Sequence, residues 1–497
     1  MMAHWATRGV RGSSRGGESR PGLGRRAGGI DLRRNQLGGQ IGTDPIFSAT
    51  SHTGRARSSV TRSAGRQRLT LSTDEQEIFD GLGGEALQKT IRAVVDYGEI
   101  FGASRLVPLG GAPHHAISWG SRGIEPLLRI YRELAESGLR AYAPFTSNPK
   151  PMDPIDLPLV LDQHLALAKI FNFTDELERL NLELGLRSPG DWSCACYEPE
   201  MGNTPEFGDY LAWSESSAIT FANSVLGART NRNPIGIDML CSILGKAPYF
   251  GLMTDRGRLA DWLIEVETSR RCSPQVLGST IGLRVLEGVP FIVGLDRYLS
   301  RGAAHTADYL KDLGAAIAGN GGVGLIHIEG ITPEAVRWGR DLLAAGFETA
   351  VIDDDEIERV RAGYPNLWKH RHGKPKRVFL GCPHLTVGQI VDWGRRIVDA
   401  LEAIQASTIG IPTHLFASSH VRKAFEHQHP ELAGRLQELG VTIPSNCPMM
   451  WCSTPLEDAE LVATNSNKTR VYTTARFFDD DVLAELVATG ELPEGVQ

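Results

Sequence analysis

The chain has 497 residues, 41% of them hydrophobic and 22% charged, the composition of a globular protein with apolar surface for more than one buried core. Its formal charge of -7 is unevenly placed: residues 1–70 hold thirteen Arg against three acidic residues (Glu18, Asp31 and Asp44), or +10, so the remainder carries about -17. An acidic body argues against nucleic acid as the main partner, and no run approaches the ~20 apolar residues of a membrane span. The start lacks the apolar core of a secretory signal and the seven cysteines are odd in number, so the expected setting is a reducing cytoplasm where thiols stay free or bind metal.

Residues 1–70 are rich in Gly, Ser and Arg without a sustained apolar period, and are expected to be disordered. An RNA-binding arm, an organellar transit peptide or sequence translated upstream of the true start would each account for them. The glycines oppose the amphipathic helix of a transit peptide, and a non-functional extension fits best. Order is expected from residue 71, where Ser72 and Glu75 have capping-box spacing and Ile78, Phe79, Leu87, Ile91, Val94 and Val95 continue a helical pattern. Further on, short apolar runs predict strands at Arg105–Leu109, Leu139–Tyr142, Phe291–Leu295, Gly324–Ile328, Thr349–Ile352, Val378–Gly381, Val441–Pro444 and Leu461–Thr464. Between them, helices are predicted at Ile124–Glu136, Pro333–Ala345 and Val387–Ile404. This alternation predicts an α/β architecture with mostly parallel sheets over 71–497 and a possible internal boundary near residues 280–300. The G-x-G-x-x-G pattern at Gly319–Gly324 follows a helical run and precedes a strand, the reverse of a dinucleotide site, and predicts a turn.

Chemistry-bearing residues concentrate in Trp192–Arg232. Cys194 and Cys196 lie two apart there, and Arg229-Thr230-Asn231-Arg232 offers a fork for a carboxylate or phosphate, although solvated arginines at a helix end explain an isolated R-T-N-R as well. Cys382 and Cys447 each follow an apolar run and precede a proline, so both are expected in loops at strand ends, where open α/β sheets bind ligands. Four such cysteines can converge on a metal or be small buried hydrophobes; the absence of paired C-x-x-C knuckles disfavours structural zinc. Cys241 and Cys272 are expected in the core. Thr464-Asn465-Ser466-Asn467-Lys468 presents a lysine at a strand-to-loop junction, suited to an anion or to a capped turn. The basic run Lys369–Arg377 lacks aromatic residues to stack bases and reads as a solvated loop, leaving a nucleic-acid-binding regulator as the rival from another class.

Several of these stretches together resemble the aconitase X family: Gly102-Ala103-Ser104-Arg105-Leu106-Val107-Pro108, Trp213-Ser214-Glu215-Ser216-Ser217-Ala218, Asn223-Ser224-Val225-Leu226-Gly227-Ala228-Arg229-Thr230-Asn231-Arg232, Gly381-Cys382-Pro383-His384 and Thr464-Asn465-Ser466-Asn467-Lys468. The resemblance runs from about residue 73 to 475. It implies an aconitase-like multi-domain fold around a central iron–sulfur cluster, 2Fe-2S or 4Fe-4S, held by Cys382, Cys447 and Cys194. The C-x-x-Y element Cys194–Tyr197 selects Cys194, while a gapless count back from Pro205 selects Cys196. It implies substrate contacts from Ser216, Asn223, Ser224, Arg229, Thr230, Arg232, Ser466 and Lys468. It also implies dehydration of a small hydroxylated acid, with cis-3-hydroxy-L-proline first and phosphomevalonate as the alternative. The base is expected on a small swivelling-domain subunit, because residues 1–70 have no strand pattern from which to build that domain. Two stretches depart from the family pattern: Arg470-Val471-Tyr472 replaces a His-Tyr after the lysine, and Pro113-His114-His115-Ala116-Ile117-Ser118 replaces a His-Ile-Ser-Gly-like stretch.

Overall fold

Ser72 caps the first helix of the described chain. Its hydroxyl accepts from the Glu75 amide while the Glu75 carboxylate accepts from the Ser72 amide, closing the predicted capping box on helix Thr73–Asp80. The computed structural model describes residues 68–117, 121–152, 161–452, 454 and 461–496. The segment expected to be disordered therefore lies, apart from its last three residues, outside the described residues.

The N-terminal region packs helices Glu85–Ile100, Ser121–Glu136, Thr174–Leu184 and Ile237–Leu244 around short strands. Leu106–Pro108 pairs antiparallel with Lys246–Pro248, and His114–His115 pairs parallel with Thr146–Ser147. Trp192 adds a single parallel bridge to Ser147, which fixes the entry into the Cys194 loop. Leu139–Tyr142 is not a strand. Its amides go singly to carbonyls of two different elements, Ala141 to Leu184 and Tyr142 to Ser242, so no ladder forms.

Residues 260–352 form a four-stranded all-parallel sheet in the order His327–Ile328, Pro290–Val293, Ala260–Val266, Leu343–Ile352. Helices Pro274–Val285 and Ala304–Asn320 bury Leu277, Ile281, Leu313 and Ile317 against it. Residues 280–300 contribute the end of the first of these helices and an inner strand to this layer. Two expectations fail here. The strand Ala260–Val266 escaped the sequence reading, and the predicted helix Pro333–Ala345 stops at Trp338. Gly339 takes φ +54°, which breaks the helix, and from Leu343 the chain is drawn into the sheet beside Ala260–Val266. The glycine pattern at Gly319–Gly324 is indeed a turn, after a helix that ends at Asn320.

The last sheet is also all parallel, ordered Thr413–Leu415, Arg377–Leu380, Val462–Thr464, Arg476–Phe477. The chain leaves Arg377–Leu380, returns on one side as Thr413–Leu415 and then on the other as Val462–Thr464. The carboxyl end of Arg377–Leu380 is therefore a topological switch point, where a crevice opens between diverging loops. Val441–Pro444, predicted as a strand, makes only one bridge, Thr442 to His414. Among the described residues no helix is long and apolar enough to cross a membrane.

Gly381 is the first residue past the switch point. It has φ +107°, and a Cβ there would sit 2.4 Å from the Phe416 carbonyl oxygen. Gly381→Ala should cost about 2 kcal/mol or more in urea unfolding, since both the backbone region and the contact exclude a side chain. A loss below about 0.5 kcal/mol would show that the loop relaxes without penalty.

Candidate active site

Three loops from distant parts of the chain bring Cys194, Cys382 and Cys447 into one neighbourhood. Cys382 follows Gly381 at the switch point. Cys194 follows the Trp192 bridge, and its sulfur accepts from the His384 amide at 3.3 Å. Cys447 precedes helix Pro448–Cys452, with its amide donated to the Lys150 carbonyl. Burial pushes all three thiols upward, Cys447 to about 12, and neighbouring thiol charges add to this, Cys382 acting on both Cys194 and Cys447. Cys196 differs. It is fully buried among Ala195, Tyr197 and Trp213, and burial pushes its thiol up, with the Glu215 carboxylate acting in the same direction. Cys241 is buried as expected, but Cys272 is half-exposed, its sulfur 3.7 Å from the Arg270 carbonyl in the loop before helix Pro274–Val285. The correction follows from Pro274: it starts the helix at N1 and leaves Cys272 outside it.

Beside the thiols, Lys468 forms a buried ion pair with Glu215, the ammonium and carboxylate retaining 4% and 5% exposure. Glu215 is the N-cap of helix Ser216–Phe221 and accepts from the Ala218 amide at 2.6 Å and the Ser217 hydroxyl at 2.7 Å. Burial alone would raise its carboxyl, but Lys468 and these donors hold it below the ordinary value. Lys468 answers in kind: burial opposes its charge, while the Glu215 carboxylate keeps the ammonium protonated. Ser466 caps the short helix that carries Lys468 and donates to the Cys382 carbonyl at 2.6 Å, tying the two loops together. The pair floors a cleft of about 300 Å³ lined by Ala116, Ile117, Asn148, Ser214, Ser216, Ile235 and Tyr472.

Of the predicted substrate contacts, Ser216 and Lys468 line this cleft. The others build its surroundings. Asn223 and Ser224 lie in the π-helical turn Ala222–Leu226, where Asn223 bonds the Thr230 backbone in both directions and Ser224 accepts from the Ile326 amide. Thr230 accepts from the Trp213 amide. Arg229 pairs with Asp255 at 2.6 Å, and Arg232 donates to the Gly321 carbonyl at 3.2 Å, so the two do not form a fork at the cleft. Glu215 was missed because its partner is 253 residues away, although it stands within the polar W-S-E-S-S-A stretch. In the basic run, Lys374 pairs with Glu491, and Arg377 is buried over the Trp451 ring.

Models of the aconitase X first and second domains match residues 68–256 and 260–362. The chain is 29% identical over 409 residues to the phosphomevalonate dehydratase large subunit of Thermococcus kodakarensis, covering 81% of this chain and 94% of that protein. The large subunit of Methanothermobacter thermautotrophicus is 32% identical over 67% of this chain and 77% of its own. The cis-3-hydroxy-L-proline dehydratase of Pseudomonas aeruginosa is 31% identical over 64% of this chain but only 52% of its own length. A crystal structure of Thermococcus kodakaraensis aconitase X in its holo-form matches with a TM-score of 0.69 at 28% identity, over 86% of this chain and 100% of that one.

Lys468→Met should destabilise the chain by about 3–5 kcal/mol, because Glu215 is left as an unpaired buried charge. The double variant Glu215→Gln/Lys468→Met should recover a large part of that loss. Chemical denaturation of both measures it; additive losses would show that the pair is not coupled.

Proposed function

This chain belongs to the aconitase X family of dehydratases, and we propose that it is a large subunit that carries an iron–sulfur cluster on Cys194, Cys382 and Cys447. The observation that carries this reading is the meeting of those three thiols beside the Glu215–Lys468 pair. Among the described residues no group of three or more His, Cys, Asp or Glu side chains is placed to hold a single metal ion. The Tyr197 hydroxyl, near Cys194, is buried without a hydrogen-bond partner, as a donor awaiting an acceptor would be. The holo-form of the matched relative supports a bound cofactor. Cys194 is preferred to Cys196 because its sulfur accepts from the amide of His384, two residues past Cys382, whereas Cys196 is fully buried in a separate apolar cluster.

When bound, a cluster with three thiolate ligands supplies an iron with an open position, a Lewis acid for the departing hydroxyl. The chain's own residues do the rest. Lys468 has three N–H donors; Glu215 and Ser217 take two, and the third serves a carboxylate or phosphate oxygen. Ser214, Ser216 and Asn148 supply polar contacts at the cleft, and Ala116, Ile117 and Ile235 limit water. Asn223 and Thr230 brace Trp213, next to Ser214 at the cleft, while Arg229 and Arg232 are engaged outside it. The proton acceptor comes from a small partner subunit, a reading supported by the name "large subunit" borne by the relatives that match over most of their length.

For the substrate, the relatives reverse the order drawn from sequence alone. The phosphomevalonate dehydratases match nearly end to end, whereas the cis-3-hydroxy-L-proline dehydratase is matched over about half its length. The substrate proposed here is accordingly phosphomevalonate, with cis-3-hydroxy-L-proline second.

Two experiments follow. Anaerobically prepared Cys194→Ser, Cys382→Ser and Cys447→Ser should each lose iron and sulfide while Cys196→Ser retains them; retention in any of the first three would refute that ligand. Water loss should be measured on phosphomevalonate and on cis-3-hydroxy-L-proline, with and without the small subunit. Turnover is expected on phosphomevalonate and only with both subunits present. Substantial turnover by this chain alone would require a base among its own residues, and a preference for the hydroxyproline would restore the first expectation.

A further inference from the structure

Three loops that meet only through long-range folding need something that sets their mutual spacing, and one side chain touches all of them. We infer that His384 is a positioning residue that fixes the spacing of the three cysteine loops in the metal-free chain. His384 is 1% exposed and lies two residues after Cys382. Its Nε2 meets the Asn446 carbonyl at 3.3 Å, one residue before Cys447. Its Nδ1 meets the Ser193 hydroxyl at 3.3 Å, one residue before Cys194. A carbonyl only accepts, so Nε2 carries the hydrogen and Nδ1 accepts from Ser193. Ser193 is itself oriented by the Ala195 amide, which donates to its oxygen at 3.0 Å. The backbone of His384 is fixed as well: its amide donates to the Cys194 sulfur at 3.3 Å and its carbonyl accepts from Lys311 at 2.7 Å. Lys311 is buried and also donates to Gln389, which anchors it in helix Val387–Ala403.

The imidazole is therefore a rigid strut with one nitrogen for each neighbouring loop. Side chains that orient metal-binding groups from behind typically contribute about 10–100-fold to metal affinity. The inference rests on Cys194, Cys382 and Cys447 being the ligands, but its first test does not need the metal.

The two nitrogens can be separated by substitution. Gln reproduces the reach of Nε2, and Asn that of Nδ1. In the metal-free full chain, alkylation of each cysteine is followed by mass spectrometry, with buried Cys241 as the internal reference. His384→Gln should speed Cys194 about tenfold and leave Cys447 unchanged, and His384→Asn should do the reverse. His384→Ala should speed both, with Cys241 unchanged in all three. The factor of ten corresponds to roughly 1.4 kcal/mol, the scale of one buried hydrogen bond. In the loaded chain, release of iron to a chelator should quicken by about 10–100-fold for His384→Ala. Equal acceleration of Cys241 would reveal general loosening and overturn the inference, as would a wild-type alkylation pattern in all three variants. Iron retained by Cys194→Ser or Cys447→Ser would instead refute the ligand assignment, while the metal-free alkylation pattern would still decide the role of His384.

Discussion

An ammonium and a carboxylate buried together connect chain segments 253 residues apart, and the architecture of the site depends on that pair. Withdrawing either charge from water costs several kcal/mol, which their attraction offsets only when the remaining polar positions are satisfied. Glu215 meets that condition through the Ser217 hydroxyl and the Ala218 amide, both at the start of its own helix. A helix terminus favours the negative charge, and the short helix Asn467–Tyr472 delivers the positive one. The N-terminal region and the short helix that follows the last sheet's strand Val462–Thr464 are thereby joined at the cleft.

The thiols follow from the same geometry. Parallel strands end together, and their loops diverge where strand order reverses, so Gly381 and Cys382 reach the crevice because Arg377–Leu380 is the strand about which the order turns. Lys468 follows the neighbouring strand Val462–Thr464, and Cys447 follows the extended segment bridged to His414. Desolvation favours the protonated form of all three thiols, and a metal bound there would require their deprotonation. The nearby ammonium of Lys468 favours that step.

Much of this was legible in the residues themselves. The capping box at Ser72, the apolar run broken by Gly381-Cys382-Pro383, and the strand before Ser466 all carry local signals, because caps and strand ends are determined within a few residues. What was not legible is long-range. Glu215 looks like one polar residue among several until Lys468 is folded against it. Arg229 and Arg232 have the chemistry of an anion fork, yet Asp255 and the Gly321 carbonyl engage them from other segments. The apolar period of Pro333–Ala345 suits a helix until Gly339 turns the chain and Ala260–Val266 offers a ladder. Leu139–Tyr142 has a strand's composition without a neighbouring strand to pair with.

The central claim is that the thiols of Cys194, Cys382 and Cys447 hold iron beside Lys468. Anomalous diffraction at the iron edge, from anaerobically grown crystals of the chain with its cofactor, locates the metal directly. Iron density is expected beside Lys468, bounded by those three sulfurs and not by Cys196. Iron at any other position, or well-ordered cysteines around a site without iron in catalytically active crystals, would contradict it.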